Sequence, residues 1–326
     1  MLQVFSRANG SLKVEKTNQN LASALWIDLA NPTPDEKQRV EAAAGFTIDT
    51  PEEVDHFYIG EQVRQQNGHL ILKALLLGGL DRRKPTLVPV TIIRSAGRFV
   101  TVSTGSPDGL NWLVAECQEC MPTESNDVFA ALLDMVIDHA TNVLEQVGSD
   151  LDRLNGMLFQ HRVTEKRRLR LSASRARRTQ QMESILTSLG YSREVLVKLR
   201  RSVLSFRRLV GLVRERVSDE ALLKPLASFE HELSSIAEAQ VDMSNGVAFM
   251  LDGAVGYITI LQSKTINLMT ILGVLLTPPV LVASVYGMNF KHMPELEWEW
   301  GYAWALGLMV ISACGMYLFM RARNWL

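Results

Sequence analysis

The chain has 326 residues, a formal net charge of −1, 47% hydrophobic residues and 21% charged ones. That balance removes the bulk attraction to polyanions on which nucleic-acid binding rests, so no nucleic-acid partner is expected. Three cysteines, Cys117, Cys120 and Cys314, rule out a disulfide framework and fit a reduced compartment.

Residues 1–125 read as a mixed α/β domain. An apolar strand is expected at 24–29, followed by the turn Asn31-Pro32-Thr33-Pro34. Pro34 then opens a helix that runs to Gly45, and Thr50-Pro51-Glu52-Glu53 resembles a second capped helix start. Leu-rich and β-branched runs at 70–77, 87–94 and 98–103 are bounded by Gly, Pro and charge, so they read as strands of one sheet. The last two are joined by a hairpin around Ser95-Ala96-Gly97, and a helix at 108–121 follows. No glycine-rich phosphate loop, catalytic triad or paired-histidine motif occurs here, which predicts a regulatory and assembly module and no enzyme. Cys117-Gln118-Glu119-Cys120 has one half of a zinc-site spacing without a second ligand pair, and reads as two helical thiols.

Beyond Pro122 helix formers dominate, and only Pro225 interrupts residues 126–277. The expected helices run from Asn126 to near His161, from about Val163 to Arg216 with a break near Gly190, and from Asp219 or Pro225 into the membrane. In the third, Leu226, Phe229, Leu233, Ile236, Gln240, Met243, Val247, Met250, Ala254, Tyr257 and Leu261 alternate steps of three and four. This apolar seam, with one polar member, asks for partner helices within the chain, across subunits, or both. From Pro225 to Tyr286 such a helix would be about 90 Å long, a stalk region (126–262) leading into the bilayer. Charge is segregated along these helices. Basic residues outnumber acidic ones about fourfold over 162–216, whereas Glu230, Glu232, Glu238, Asp242 and Asp252 dominate 219–252. With almost no aromatic interleaving, this reads as mutually neutralising helices plus attraction to anionic lipid headgroups.

Two uncharged runs, 266–286 and 302–320, are each long enough for a helix to cross roughly 30 Å of hydrocarbon. The opening MLQVFSRANG lacks the apolar core of a signal sequence. Arg321 and Arg323 lie in the basic tail (321–326), whereas the loop between the runs carries Glu295, Glu297 and Glu299 against Lys291. The positive-inside rule therefore places the tail and the N-terminal portion in the cytoplasm and the loop outside. Trp298, Trp300, Tyr302 and Trp325 fall near the membrane ends, where amphipathic rings settle. The polar residues Ser263, Asn267, Thr270, Thr277 and Ser284 are spaced by four, three, seven and seven, so they share one helical stripe with Gly273 on its margin. Uncharged polar groups at membrane depth face protein or water. Helix–helix hydrogen bonding accounts for such a stripe; so does a pore, if several copies surround an axis with the stripe inward.

The last forty residues carry Tyr286-Gly287-Met288-Asn289-Phe290, Met293-Pro294-Glu295-Leu296, Trp300-Gly301-Tyr302 and Asn324-Trp325-Leu326. In their order and spacing these segments resemble the CorA family of divalent-cation channels and transporters. The resemblance implies a CorA-like homopentameric funnel: an α/β cytoplasmic domain (1–125), a long helical stalk and two transmembrane helices. The first of these (263–286) lines the pore and the second (302–320) forms an outer ring. By that resemblance Gly287, Met288 and Asn289 form a selectivity mouth in the external loop (287–301). Asn267, Thr270, Gly273 and Thr277 line the pore, and Ile266 and Met269 are hydrophobic gate candidates. Glu295, Glu297 and Glu299 concentrate cations outside. A ring of Asn289 and Gly287 carbonyls would accept hydrogen bonds from a hydrated Mg²⁺, which releases its water reluctantly. Transport would be passive, driven by about 4.6 kcal/mol per divalent ion per 100 mV.

The sequence also departs from the family pattern. Where family members carry stalk Asp residues for regulatory Mg²⁺, this chain has Ser228-Phe229-Glu230-His231-Glu232, leaving Glu230 and Glu232 as the regulatory candidates. Thr277-Pro278-Pro279 doubles the usual proline, predicting a sharper kink. The soluble portion also resembles the zinc-transporting branch of the superfamily, which usually has Val where this chain has Met288. Mg²⁺ is thus the expected ion, with Co²⁺ and Ni²⁺ as further candidates and Zn²⁺ or Cd²⁺ transport as the alternative. A membrane-anchored oligomeric scaffold is a second alternative. No cofactor is implied. The expected location is a bacterial inner membrane, multi-pass, with both termini cytoplasmic.

Overall fold

The computed structural model describes residues 2–8, 11–15, 21, 24–48, 62–66, 68–81, 83–95, 97–104, 113–114, 117, 122–159, 173–217, 220–288, 294 and 298–323. The chain divides into two compact units, Met1–Leu251 and Asp252–Leu326.

The first unit contains a mixed sheet. Its strands are β1 (Leu2–Ala8), β2 (Ser11–Glu15), β3 (Trp26–Ala30), β4 (Val63–Gln66), β5 (His69–Gly78), β6 (Thr86–Arg94) and β7 (Phe99–Ser103), in the order β2-β1-β3-β7-β6-β5-β4. Only β3 and β7 pair in parallel, with Asp28 opposite Thr101; the other neighbours are antiparallel. The expected strands and the β6–β7 hairpin are present, and Ser95 and Arg98 exchange backbone hydrogen bonds across the turn. Helix α1 (Pro34–Ala44) follows its sequence signals at both ends. Thr33 and Glu36 form a reciprocal capping box, and Gly45 closes the helix at φ 77°, a left-handed conformation that glycine adopts without a Cβ clash. Val40 of this helix packs with Ile27, Leu29, Ile71, Ile93 and Val100 in a core on one face of the sheet. On the other face Trp26 stacks on Phe5, with ring centroids 4.1 Å apart, and Phe99 meets Phe129 of the next helix.

Three long helices follow: α2 (Ser125–Phe159), α3 (Ala173–Arg216) and α4 (Glu220–Tyr286), the last contributing to both units. The break expected near Gly190 is absent, since α3 runs through that residue. Glycine in a helix interior costs about 1 kcal/mol, and the flanking Leu189 and Ser192, both buried, hold the turn in place. The serines of α3 also finish the sheet. β4 pairs with β5 only as far as Leu72, and two residues beyond Lys73 the same strand edge is open at Leu75. There Ser205 Oγ accepts from Leu75 N–H at 3.0 Å and Ser202 Oγ donates to the Leu75 carbonyl at 2.8 Å. Buried backbone polar groups need such partners.

The seam on α4 is buried from Leu226 to Met250, with only Met243 half-buried, so partners within the chain cover this stretch. Gly148 of α2 leaves room for Met243, whose methyl lies 3.3 Å from where a Cβ would stand. Gln240, the polar member, donates from Nε2 to the Leu196 carbonyl of α3 at 3.1 Å and to Ser244 Oγ at 2.8 Å. The expected neutralisation of basic by acidic helix occurs where Arg214 of α3 pairs with Glu230 of α4. Cys117 is buried and forms no disulfide among the described residues. The expected helix start at 50–53, most of the expected helix at 108–121, and Cys120 lie outside the described residues.

Candidate ion pathway

In the second unit α4 runs from Asp252 to Tyr286 and α5 spans Gly301–Ala322. Both helices are long and apolar enough to cross a membrane. None of the most apolar window of α4 is buried, and 11% of that of α5 is. A helix core of a soluble protein would be covered; these surfaces require lipid or other protein. α4 continues unbroken through Pro278 and Pro279.

Coverage of α4 is one-sided. Tyr257, Ile258, Leu261, Thr265, Ile271, Val274, Leu275, Pro278, Pro279, Val282 and Tyr286 are half-buried, and together they centre on one face. Ser263, Asn267, Thr270, Gly273, Thr277 and Ser284 are all exposed. At about 100° per residue the centres of these two sets lie about 155° apart. The residues of the expected polar stripe are therefore exposed on average opposite the half-buried set, with no described residue of the chain covering them. A Cβ added at Gly273 would meet nothing within 4 Å. Ile266 and Met269, the gate candidates, are 64% and 60% exposed beside the stripe.

The hydroxyls have a specific arrangement. Thr270 Oγ1 donates to the Ile266 carbonyl at 2.9 Å, and Thr277 Oγ1 donates to the Gly273 carbonyl at 2.7 Å. Each proton is directed back along the helix, which leaves the oxygen lone pairs outward as acceptors. Thr259, one turn before Ser263, is exposed on the same stripe and donates likewise to the Val255 carbonyl at 3.0 Å. Sequence reasoning stopped the stripe at Ser263, although the four-residue spacing continues to Thr259.

At the end of α4, Gly287 N–H donates to the Ala283 carbonyl at 2.9 Å and Met288 N–H to the Val285 carbonyl. A Cβ on Gly287 would stand 3.1 Å from the Ala283 oxygen, closer than side chains normally tolerate, so this turn favours glycine. Met288 is half-exposed. Asn289, Glu295 and Glu297 lie outside the described residues, and Glu299 is exposed. Trp298, Trp300, Tyr302 and Trp304 are exposed around the start of α5, with Trp298 and Trp304 6.4 Å apart. Arg321 and Arg323 are exposed at its end.

The two regulatory candidates lie in the first unit and are not brought together as a metal site. Glu230 is engaged by Arg214, and Glu232 accepts from Ser228 Oγ at 2.9 Å. No cluster of three or more His, Cys, Asp or Glu suited to a metal occurs among the described residues.

Comparison with known proteins bears on the whole chain. The magnesium transport protein CorA of Escherichia coli (strain K12) is 25% identical over 334 residues, covering 100% of both chains. That of Yersinia pestis is 25% identical over 333 residues, again covering 100% of both. The complete structure of the CorA magnesium transporter from Methanocaldococcus jannaschii superposes with a TM-score of 0.70 at 15% identity, over 100% of this chain and 99% of that one. The ZntB cytoplasmic domain from Vibrio parahaemolyticus RIMD 2210633 gives a TM-score of 0.52 at 11% identity, over 79% of this chain and 97% of that one. The profile described as CorA-like Mg2+ transporter protein matches residues 22–322. With α/β domain, long helix and paired apolar helices all in their places, the chain belongs to the CorA family of transporters.

Proposed function

We propose that this chain is a divalent-cation channel of a bacterial inner membrane, a homopentamer whose α4 helices surround a pore with the polar stripe inward. The observation that carries the reading is the uncovered stripe from Thr259 to Ser284, opposite the face of α4 that its own chain covers. Polar groups at that depth need water or protein, and one chain with two crossings cannot enclose water. Copies of the same stripe around an axis can.

The chemistry suits a hydrated ion. Water bound to Mg²⁺ points its hydrogens outward, and the threonine oxygens offer lone pairs to them. No carboxylate stands in the membrane stripe, so the ion is held weakly enough to leave. Asn289 and the Gly287 carbonyl form the external mouth, Glu295, Glu297 and Glu299 raise the cation concentration in front of it, and Ile266 and Met269 form the apolar gate. Both termini face the cytoplasm, as the basic tail and acidic loop require. Mg²⁺ is the principal ion, as in the relatives' names. The likeness to ZntB is confined to a cytoplasmic domain and shows fold alone, so Zn²⁺ is the competing ion to be measured beside it.

The test is metal-specific flux into liposomes carrying purified full-length protein, run separately with Mg²⁺, Co²⁺, Ni²⁺, Zn²⁺ and Cd²⁺. Wild type is expected to pass Mg²⁺, and Asn289→Ala to fall to the level of protein-free liposomes while remaining oligomeric. Undiminished flux through Asn289→Ala refutes the role of that residue. Absence of divalent flux in wild type refutes the channel.

A further inference from the structure

The long helices of the first unit carry two sets of charges that the described residues leave unmatched. On α3, Arg193, Arg200, Arg201, Arg207 and Arg208 are exposed and make no ion pair among the described residues. The neighbouring acid on that face, Glu194, is engaged by Lys198 at 2.6 Å. On α4, Glu238 and Asp242 are exposed and equally unmatched. α3 and α4 are neighbours, joined by Gln240 to the Leu196 carbonyl and by Arg214 to Glu230. Their unmatched faces nevertheless diverge, so the opposite charges do not meet within one chain. Apolar residues are interleaved on both: Val197 is 46% exposed and Leu204 39% on α3, and Val241 is 39% exposed on α4. A solvated face has no need of such residues at these positions.

Height along the helices is the second observation. The two contacts run in opposite chain directions, so α3 and α4 are antiparallel. Interpolating between them sets Arg200 and Arg201 level with Glu238 and roughly 7 Å from the level of Asp242. Rotation about an axis parallel to these helices preserves height. In a ring of identical copies about such an axis, the arginine face of one copy would therefore stand level with the carboxylate face of the next. A copy that offers its arginine face to one neighbour and its carboxylate face to another makes a head-to-tail contact, the kind that forms a ring when the rotation closes.

We infer that the basic face of α3 around Arg200 and Arg201 docks on the acidic face of α4 around Glu238 and Asp242 in a second copy of this chain. Val197, Leu204 and Val241 are buried between them. This rests on the reading of several copies around an axis. It assigns cohesion of the soluble part to direct arginine–carboxylate pairs with an apolar centre, and it fixes which faces meet. Single exposed pairs contribute little, so the charges act as a patch and set the order of docking.

The experiment uses full-length protein in detergent, sized by native mass spectrometry. Arg200→Glu with Arg201→Glu is expected to convert most oligomer to monomer, and Glu238→Arg with Asp242→Arg to do the same. The variant carrying all four changes regains the oligomer. Oligomers that persist in both double variants, or a quadruple variant that stays monomeric, overturn the docking. A second measurement does not depend on stability of the reversed variants. In a Cys120→Ser, Cys314→Ser background, which leaves only the buried Cys117, Arg201→Cys and Glu238→Cys are placed on separate co-expressed chains of distinguishable size. Oxidation is expected to link unlike chains, and links between like chains only, or none, overturn the inference. If wild type is an oligomer that conducts while these tests fail, only the docking is lost. If wild type is a monomer, the pore reading falls with it.

Discussion

Asp28 stands in the middle of β3 with its carboxyl 5% exposed, directly across from Thr101. Thr101 Oγ1 donates to it at 2.6 Å and itself accepts from Trp26 Nε1 at 3.0 Å, so the three side chains form a buried relay. Burial pushes the carboxyl from 3.8 up to about 6, against the Thr101 hydrogen bond that holds it down. The folded state therefore prefers the protonated acid. Stability from this group is fully present below pH 4 and is lost as pH rises through about 6. The full loss is about 3 kcal/mol. Asp28→Asn, which keeps an acceptor for Thr101 and removes the charge, should gain thermal stability relative to wild type between pH 5 and pH 8. A gap in melting temperature that does not widen over that range would show that the carboxyl is already solvated. His139 moves in the opposite sense: burial lowers it to about 4, so it stays neutral in the fold.

Among the elements, helix ends and hairpins were written in short-range sequence. Thr33-Pro34 with Glu36 began α1, Gly45 ended it, and Gly97 marked the β6–β7 turn. Strands β1, β2 and β4 were not foreseen, because Leu2–Ala8, Ser11–Glu15 and Val63–Gln66 lack the apolar runs that marked the others. Nor could any local pattern announce the parallel pairing of β3 with β7, which joins residues about seventy positions apart. Gly190 misled in the other direction, since propensity is local and the packing of Leu189 and Ser192 is not. The residue is exposed, and an added Cβ there would meet nothing within 4 Å. Gly190→Ala should stabilise the protein by about 0.5–1 kcal/mol, read as a higher unfolding midpoint with unchanged oligomeric size. A lower midpoint would mean that α3 needs flexibility at that turn.

At the scale of the molecule, the seam and the stripe on α4 were both legible as spacings, since a helix converts position into direction. What the sequence left open was who covers each. The seam from Leu226 to Met250 is covered by the chain itself, and among the described residues the stripe is not. That difference makes a prediction about water. In the assembled protein, with Cys314 replaced, Thr277→Cys should react with a membrane-impermeant thiol reagent. Leu276→Cys, about 100° away around the helix, should not. Equal labelling would mean that the stripe has no privileged access to solvent.

The tethered hydroxyls carry one more consequence. Thr259, Thr270 and Thr277 each commit their hydrogen to a carbonyl one turn back. At those three levels a chloride ion entering the proposed conduit would seek hydrogen-bond donors and meet oxygen lone pairs instead, leaving only the Asn267 amide and the Ser263 and Ser284 hydroxyls to receive it. The threonine rings would thus disfavour anions without a single negatively charged group in the wall, because the helix has already claimed their hydroxyl protons.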